Sequence, residues 1–146
     1  MQHRPRRSAL YMPASNAKAI EKARTLDCDV VILDLEDAVA PDAKEVARRQ
    51  AVEAIAAGGF GRREMVIRCN GLETPWGAED LSAAAAAGPD AVLVPKVNDG
   101  AGVAAYDRAR AAAPAHTRLW TMIETCRSVF RLDEIAEASH ASRLSA

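Results

Sequence analysis

The stretch Val30–Val39 constrains the fold of this chain more than any other segment. It begins with four consecutive apolar residues, Val30–Leu33. An apolar run of this length, rich in β-branched residues, is typical of a strand buried on both faces of a parallel sheet. The run is followed at once by Asp34, Glu36 and Asp37. Because parallel sheets place their chemistry at the carboxyl ends of the strands, these three carboxylates are candidate functional groups.

The carboxylates are not equivalent, because side chains alternate across a strand. Asp34 and Glu36 are predicted on one face, and Asp37 is predicted on the other. The alternative is a strand that simply ends in a solvated acidic turn. That alternative is preferred for any single carboxylate, but three carboxylates within four residues weaken it.

The pattern of an apolar run that ends in polar residues recurs along the chain. Four further strands, each followed by a helical segment, are predicted for Ser8–Pro13, Met65–Asn70, Ala91–Lys96 and Leu119–Glu124. Strict alternation predicts an α/β fold whose right-handed crossovers curl the sheet in one direction. An open doubly wound sheet and a TIM-type (β/α)8 barrel both fit. The barrel is favoured because no Gly-x-Gly-x-x-Gly follows the first strand, and residues 1–146 would supply about five of its βα units as one partial domain.

Composition excludes several classes of protein. The 146 residues carry a formal net charge of −1 with basic and acidic side chains interleaved, which argues against nucleic-acid or anionic-membrane binding. No apolar run could span a bilayer and no signal-type segment is present, so a cytoplasmic protein is expected. The cysteines Cys28, Cys69 and Cys126 form no Cys-x-x-Cys pair and are interpreted as small buried residues.

Three basic side chains are candidate ligand-binding groups. Arg68 lies at a buried strand end, where its planar guanidinium needs an anion that accepts two hydrogen bonds. A substrate carboxylate and a protein carboxylate such as Glu36 satisfy it equally well. Lys18 and Lys22 are four residues apart on a predicted helix and therefore share a face. They are most simply solvated lysines, but they could also bind phosphate groups.

The motifs together resemble the citrate lyase β subunit family, which includes the malyl-CoA and citramalyl-CoA lyases. They follow the order and spacing of that family over nearly the whole chain: Arg7–Pro13, Asp34–Val39 with Pro41, Lys44 and Arg48, Arg68–Asn70 with Thr74–Gly77 and Asp80–Leu81, Val94–Lys96, and Ile123–Thr125. Each motif is weak alone, but the string is specific. The resemblance implies a Mg2+-dependent lyase of the TIM-barrel type. Such an enzyme cleaves or forms a carbon–carbon bond in a 3-hydroxyacyl-CoA thioester, yielding a 2-oxo acid and an acyl-CoA.

The resemblance also implies roles for individual residues. Arg68 would bind the carboxylate of the oxo acid, and Glu124 would be one of two carboxylate ligands of Mg2+, beside the substrate. Glu36 would lie beside the metal-bound water, and Asp37 would orient the arginine. The residues that would meet coenzyme A near the barrel mouth are Lys22, Lys18, Tyr11 and Pro13. The expected partners are a 2-oxo acid, an acyl-CoA and further copies of the chain.

The sequence departs from the family in two ways. Cys126–Ser128 stands where the family usually has Ala-Arg-Gly, which predicts a narrower turn beside the metal. The family's second metal carboxylate lies in a Gly-x-x-Asp motif that would follow residue 146, and its catalytic acid is expected from the C-terminal part of a neighbouring subunit. Two other functions therefore remain open: a non-catalytic partial barrel that binds an oxo acid or acts as an assembly module, and a Mg2+-dependent aldolase of free 2-oxo acids. Exposed strand edges of a partial barrel also predict self-association.

Overall fold

Five strands alternate with helices in this chain. A computed structural model describes the backbone of residues 4–144 and the side chains of residues 4–139. In chain order the elements are β1 (Ala9–Pro13), α1 (Ala17–Ala23), β2 (Val30–Asp34), a 3-10 turn (Pro41–Ala43), α2 (Lys44–Ala57), β3 (Glu64–Arg68), α3 (Gly77–Ala87), β4 (Ala91–Val94), α4 (Gly100–Ala109), β5 (Arg118–Thr121), α5 (Cys126–Val129) and α6 (Leu132–Leu144). The predicted α/β alternation is confirmed.

The five strands form one parallel sheet in the order β1-β2-β3-β4-β5. The register pairs Pro13 with Asp34 and Asp34 with Arg68, so the carboxyl ends of β1, β2 and β3 are level. In a parallel sheet, paired residues project from the same face. The polar groups that end these strands therefore meet at one edge, as the sequence predicts.

The two faces of the sheet bury different sets of residues. On one face Val31, Leu33 and Ile67 pack against apolar residues of the helices, such as Leu81 and Val103. The alternate strand positions form a second cluster on the opposite face: Val30, Ile32, Val66, Ala91 and Leu93, with Trp120 and Met122 against it. All the helices that contribute buried residues thus cover the same face, as expected when every crossover has one hand.

The sheet is curved towards the face that carries the smaller cluster. The guanidinium of Arg6, just before β1, lies 4.9 Å from the ring centroid of Trp120 on β5. These strands are the two outermost in the sheet, and four strand spacings of about 4.8 Å separate them in a flat sheet. Their contact therefore requires the curvature of a barrel wall.

Some local predictions are wrong. Asp42 and Glu45 do not form a capping box, because a 3-10 turn precedes α2 and the N-cap residue Ala43 offers no side-chain hydrogen bond. Ser142–Leu144 belongs to α6 instead of approaching another strand, and residues 145 and 146 lie outside the described chain. Cys28 and Cys69 are buried as predicted, but Cys126 is exposed. Within residues 4–144, no helix is long and apolar enough to cross a membrane.

Candidate functional site

A buried ion pair between neighbouring strands is the centre of the polar edge. Nε of Arg68 donates to Oδ1 of Asp34 over 2.7 Å, and Nη2 donates to Oδ2. Asp34 is fully buried and Arg68 is 7% exposed. The sequence left open whether Arg68 binds a substrate carboxylate or a protein carboxylate. For two of its guanidinium nitrogens the partner is a protein carboxylate. For Nε and Nη2 that carboxylate is Asp34, which the strand register pairs with Arg68.

Asp34 also fixes the loop that follows β2. Its Oδ1 accepts a hydrogen bond from the backbone N–H of Glu36 over 2.8 Å, and its Oδ2 accepts one from Ala38 over 3.1 Å. One carboxylate therefore holds both the arginine and the loop that carries Glu36 and Asp37. Asp34 thus orients Arg68, and the orienting role that the resemblance implies for Asp37 stays a prediction.

Glu36 and Asp37 lie beside the remaining nitrogen of Arg68. Nη1 of Arg68 is 3.2 Å from Oε2 of Glu36 and 3.9 Å from Oδ2 of Asp37. Glu36 is only 5% exposed, and its buried Oε2 has no hydrogen-bond partner among the described residues. The side chain of Asp37 is 66% exposed. The structure thus brings three of the predicted site residues together.

Tyr11 joins this cluster from β1. The Cζ atom of Arg68 lies 5.0 Å from the centroid of the Tyr11 ring. Partial burial raises the pKa of the Tyr11 hydroxyl above its ordinary value. Pro13 ends the same strand and is paired with Asp34. Tyr11 therefore borders the arginine, and the contact of Tyr11 and Pro13 with coenzyme A stays a prediction.

Glu124 reaches the cluster through Lys96. The backbone N–H of Lys96 donates to Oε1 of Glu124 over 2.8 Å, and Nζ of Lys96 forms an ion pair with Oε1 of Glu36. The hydrogen bond to Glu36 raises the pKa of Lys96 above its ordinary value. Lys96 belongs to the motif Val94–Lys96, but its contacts with Glu36 and Glu124 were not predicted. It follows the end of a strand, and the neighbouring residues show neither an apolar pattern nor a spacing of metal ligands that would single it out.

The oxygen atoms at this edge suit a hard cation. In the described part of the chain, no three His, Cys, Asp or Glu side chains converge as a complete metal site. Mg2+ however commonly binds through one or two carboxylates and retains water. Glu124 and Oε2 of Glu36, which is buried and accepts no hydrogen bond from the described residues, are donors of the required kind. The residues present therefore fit Mg2+, with Glu124 as the predicted ligand.

A second buried network, formed by hydrogen bonds of Lys44, holds the backbone of the loop after β2. Nζ of Lys44 donates to the carbonyl oxygens of Leu35 and Glu36 over 2.8 and 2.7 Å, and to Oδ1 of Asn70 over 2.8 Å. Burial lowers the pKa of Lys44. Sequence reasoning missed this function because a lysine in the first turn of a helix is usually solvated.

The network continues through Asp80 on α3. Its Oδ2 accepts hydrogen bonds from the backbone N–H of Asn70 over 3.1 Å and from Nδ2 over 2.6 Å, and its Oδ1 accepts from Nε of Arg48 over 2.7 Å. Asn70 in turn donates to the carbonyl of Leu35 over 2.8 Å. The loop after β2 is therefore connected to both α2 and α3.

Lys18 and Lys22 are exposed on α1. Neither ammonium group forms a hydrogen bond or ion pair with the side chains described for residues 4–139, and neither joins the Arg68 cluster. Their role in binding coenzyme A stays a prediction.

The departure at Cys126–Ser128 has a structural explanation. The hydroxyl of Thr125 accepts from the N–H of Ser128 over 3.0 Å, and the Thr125 N–H donates to the Ser128 hydroxyl over 3.2 Å. These reciprocal bonds form a capping box that begins α5. Ser128 thus fixes the turn after Glu124.

Comparisons with known proteins identify relatives of this chain. The family model described as HpcH/HpaI aldolase/citrate lyase matches residues 7–144. A (3S)-malyl-CoA thioesterase of Cereibacter sphaeroides is 44% identical over 135 residues, which are 92% of this chain and 46% of that protein. An L-malyl-CoA/beta-methylmalyl-CoA lyase of the same species is 37% identical over 145 residues, covering 93% of this chain and 46% of that protein. The chain spans about half the length of these relatives.

A solved structure shares the same fold. The citrate lyase beta subunit of M. tuberculosis, complexed with oxaloacetate and magnesium, is 32% identical with a TM-score of 0.68; the match covers 89% of this chain and 52% of that one. The predicted TIM-type fold class, represented here by five βα units, is confirmed by this likeness.

Proposed function

Because the chain belongs to the HpcH/HpaI aldolase/citrate lyase family, we propose that it forms the oxo-acid half of a carbon–carbon lyase site. The reaction would be the cleavage or formation of a 3-hydroxyacyl-CoA of the citryl-, malyl- or citramalyl-CoA type, with a 2-oxo acid and an acyl-CoA as the other participants. The observation that carries the proposal is the buried Arg68 guanidinium, held by Asp34 beside Glu36 and Tyr11.

The geometry of Arg68 supports the binding of a carboxylate. Asp34 occupies Nε and Nη2, so the plane of the guanidinium is fixed. Nη1 has longer contacts, at 3.2 Å to Glu36 and 3.8 Å to the sulfur of Met122. It is therefore the nitrogen from which an incoming carboxylate would accept a hydrogen bond. A preoriented donor loses little freedom when the ligand binds.

The charges around Arg68 support a divalent cation as well. Four carboxylates lie near three cations at this edge: the carboxylates are those of Asp34, Glu36, Asp37 and Glu124, and the cations are those of Arg68, Lys96 and Lys44. The excess of negative charge would oppose an anionic oxo acid unless another cation were bound. Mg2+ held by Glu124 would supply that charge and stabilise the negative charge that develops on the substrate oxygen during cleavage.

Calorimetric titration of oxaloacetate, with and without Mg2+, tests the proposal. The parent chain is expected to bind only with Mg2+, and Arg68→Lys and Glu124→Gln are each expected to weaken binding at least about tenfold. Lysine retains the charge that Asp34 needs but lacks the planar fork. Arg62→Ala is the control, because Arg62 pairs with the exposed Asp27 away from the cluster. Binding that is equally strong in Arg68→Lys and the parent would contradict the proposal.

The thioester part of the substrate requires a separate test. If Lys18 and Lys22 meet phosphate groups, the variant with both replaced by alanine should bind acetyl-CoA about fivefold more weakly, with an affinity that depends less on salt. Its affinity for oxaloacetate should not change. Arg49→Ala, on the exposed surface of α2, is the control. An unchanged affinity for acetyl-CoA would favour instead an aldolase of free 2-oxo acids.

A non-catalytic assembly module is the second candidate. Within the described sheet, β1 and β5 are each paired on one side only. Beyond β5, the side chains of Val129, Phe130 and Leu132 are 54%, 89% and 47% exposed. Free strand edges beside exposed apolar residues favour association with another chain. A folded chain that self-associates but binds no oxo acid in the titration would favour this function.

A further inference from the structure

Lys96 has an unusual backbone conformation at the polar edge. It is the single non-glycine residue between residues 4 and 144 with a positive φ, at 52°. This left-handed conformation is strained for a residue with a Cβ, and such strain is concentrated at functional sites. In this conformation the backbone N–H of Lys96 donates to Glu124, while its ammonium group contacts Glu36 in the loop after β2.

Lys96 contacts all three carboxylates to which the site predictions gave a role. Its N–H donates to Glu124 over 2.8 Å, and its ammonium pairs with Glu36 and lies 3.9 Å from Oδ1 of Asp37. The side chain of Lys96 is 50% exposed, whereas that of Arg68 is 9% exposed and bound by two bonds to Asp34. Lys96 is therefore the cation of the cluster that is free to move, because its ammonium is carried on a flexible four-carbon stem.

We propose that Lys96 competes with Mg2+ for the carboxylates and so sets the affinity of the site for the metal. In the absence of the metal, its ammonium partly neutralises Glu36 and Asp37. When Mg2+ enters beside Glu124, the ammonium is repelled from the cluster and faces the anionic oxo acid. The inference rests on the proposed function, since it assumes that these carboxylates meet Mg2+.

Removal of the Lys96 charge should therefore change two affinities in opposite directions. Without the competing ammonium, Mg2+ alone should bind more tightly. At saturating Mg2+, oxaloacetate should bind more weakly, because an anion loses one of its nearby cations. A purely structural role for Lys96 would weaken both affinities together.

The experiment is a calorimetric titration of Mg2+ alone into the full chain, followed by oxaloacetate at saturating Mg2+. Lys96→Met keeps the length of the stem and removes the charge, and Lys96→Gln is a second neutral variant in case the first does not fold. Both should bind Mg2+ about tenfold more tightly than the parent and oxaloacetate several-fold more weakly. Lys96→Arg keeps the charge and should resemble the parent.

The outcomes separate this inference from the proposed function. If the parent and the neutral variants bind Mg2+ equally well, or the variants bind it more weakly, competition by Lys96 is overturned while the metal-dependent function stands. If folded parent and variants all bind no Mg2+ at millimolar concentrations, both are overturned. Circular dichroism of each variant establishes that it is folded before the titration.

Discussion

Replacing Asp34 with alanine should lower the free energy of unfolding by about 3–5 kcal/mol, because it leaves the buried Arg68 guanidinium without its carboxylate. The loss would include two further hydrogen bonds, from the N–H groups of Glu36 and Ala38. Urea unfolding followed by circular dichroism measures the effect. We expect the midpoint to shift with little change in slope, since the surface exposed on unfolding is nearly the same.

Two variants separate the buried pair from general effects of charge. Asp37→Ala removes a carboxylate from the same loop, but that side chain is 66% exposed and 3.9 Å from Arg68, so the cost should stay below about 1 kcal/mol. The double variant Asp34→Ala with Arg68→Met removes both charges and should be more stable than Asp34→Ala alone. If Asp34→Ala and Asp37→Ala proved equally stable, the ion pair would not organise the cluster.

The position of the candidate site could be predicted because it follows from the alternation of strand residues. The apolar run Val30–Leu33 identifies a buried strand, and its parallel neighbours place Asp34 and Arg68 at the same edge. Both are the fifth residue of a five-residue strand. The pairing was not predicted, and Glu36 was named instead as an example of a protein partner, because strand alternation does not show which residues of neighbouring strands are paired.

The supporting network could not be predicted from local signals. Lys44 appears in sequence as a lysine in the first turn of a helix, yet it is 5% exposed. Its burial depends on Asn70, which is 26 residues away, and on carbonyl groups of the loop after β2. The same arrangement explains why the capping box does not form. Pro41 begins the 3-10 turn before α2, and the side chain of Lys44, the first residue of α2, is directed inward. Tertiary contacts override the local pattern here.

The turn after β5 shows the opposite case, in which a local signal was present but unused. β5 was predicted to continue to Glu124, whereas it ends at Thr121. Thr125 and Ser128 have the spacing of a capping box, and they form one. The helix therefore begins at Cys126, and this first residue of α5 is exposed, whereas Ser128 of the same helix is buried. The prediction of three buried cysteines failed for this reason.

The hydrogen-bond network of Lys44, Asn70 and Asp80 should contribute as much to stability as the ion pair between Asp34 and Arg68. Asp80→Ala is expected to cost about 3–5 kcal/mol, because the fully buried carboxylate accepts from Arg48 and twice from Asn70. Urea unfolding measures this cost. Hydrogen exchange should also be faster for the amides of residues 36–38, since Asn70 would no longer hold the carbonyl of Leu35 in place.

Glu79→Ala is a matched control for this prediction. Glu79 binds the same arginine, with Nη1 of Arg48 2.5 Å from its Oε2, but its side chain is 72% exposed. Its removal should cost less than about 1 kcal/mol and leave exchange at residues 36–38 unchanged. If Asp80→Ala were strongly destabilising without faster exchange in that loop, Asp80 would stabilise the packing of α2 and α3 only. Faster exchange together with weaker oxaloacetate binding would mean that the network positions Glu36 for the site.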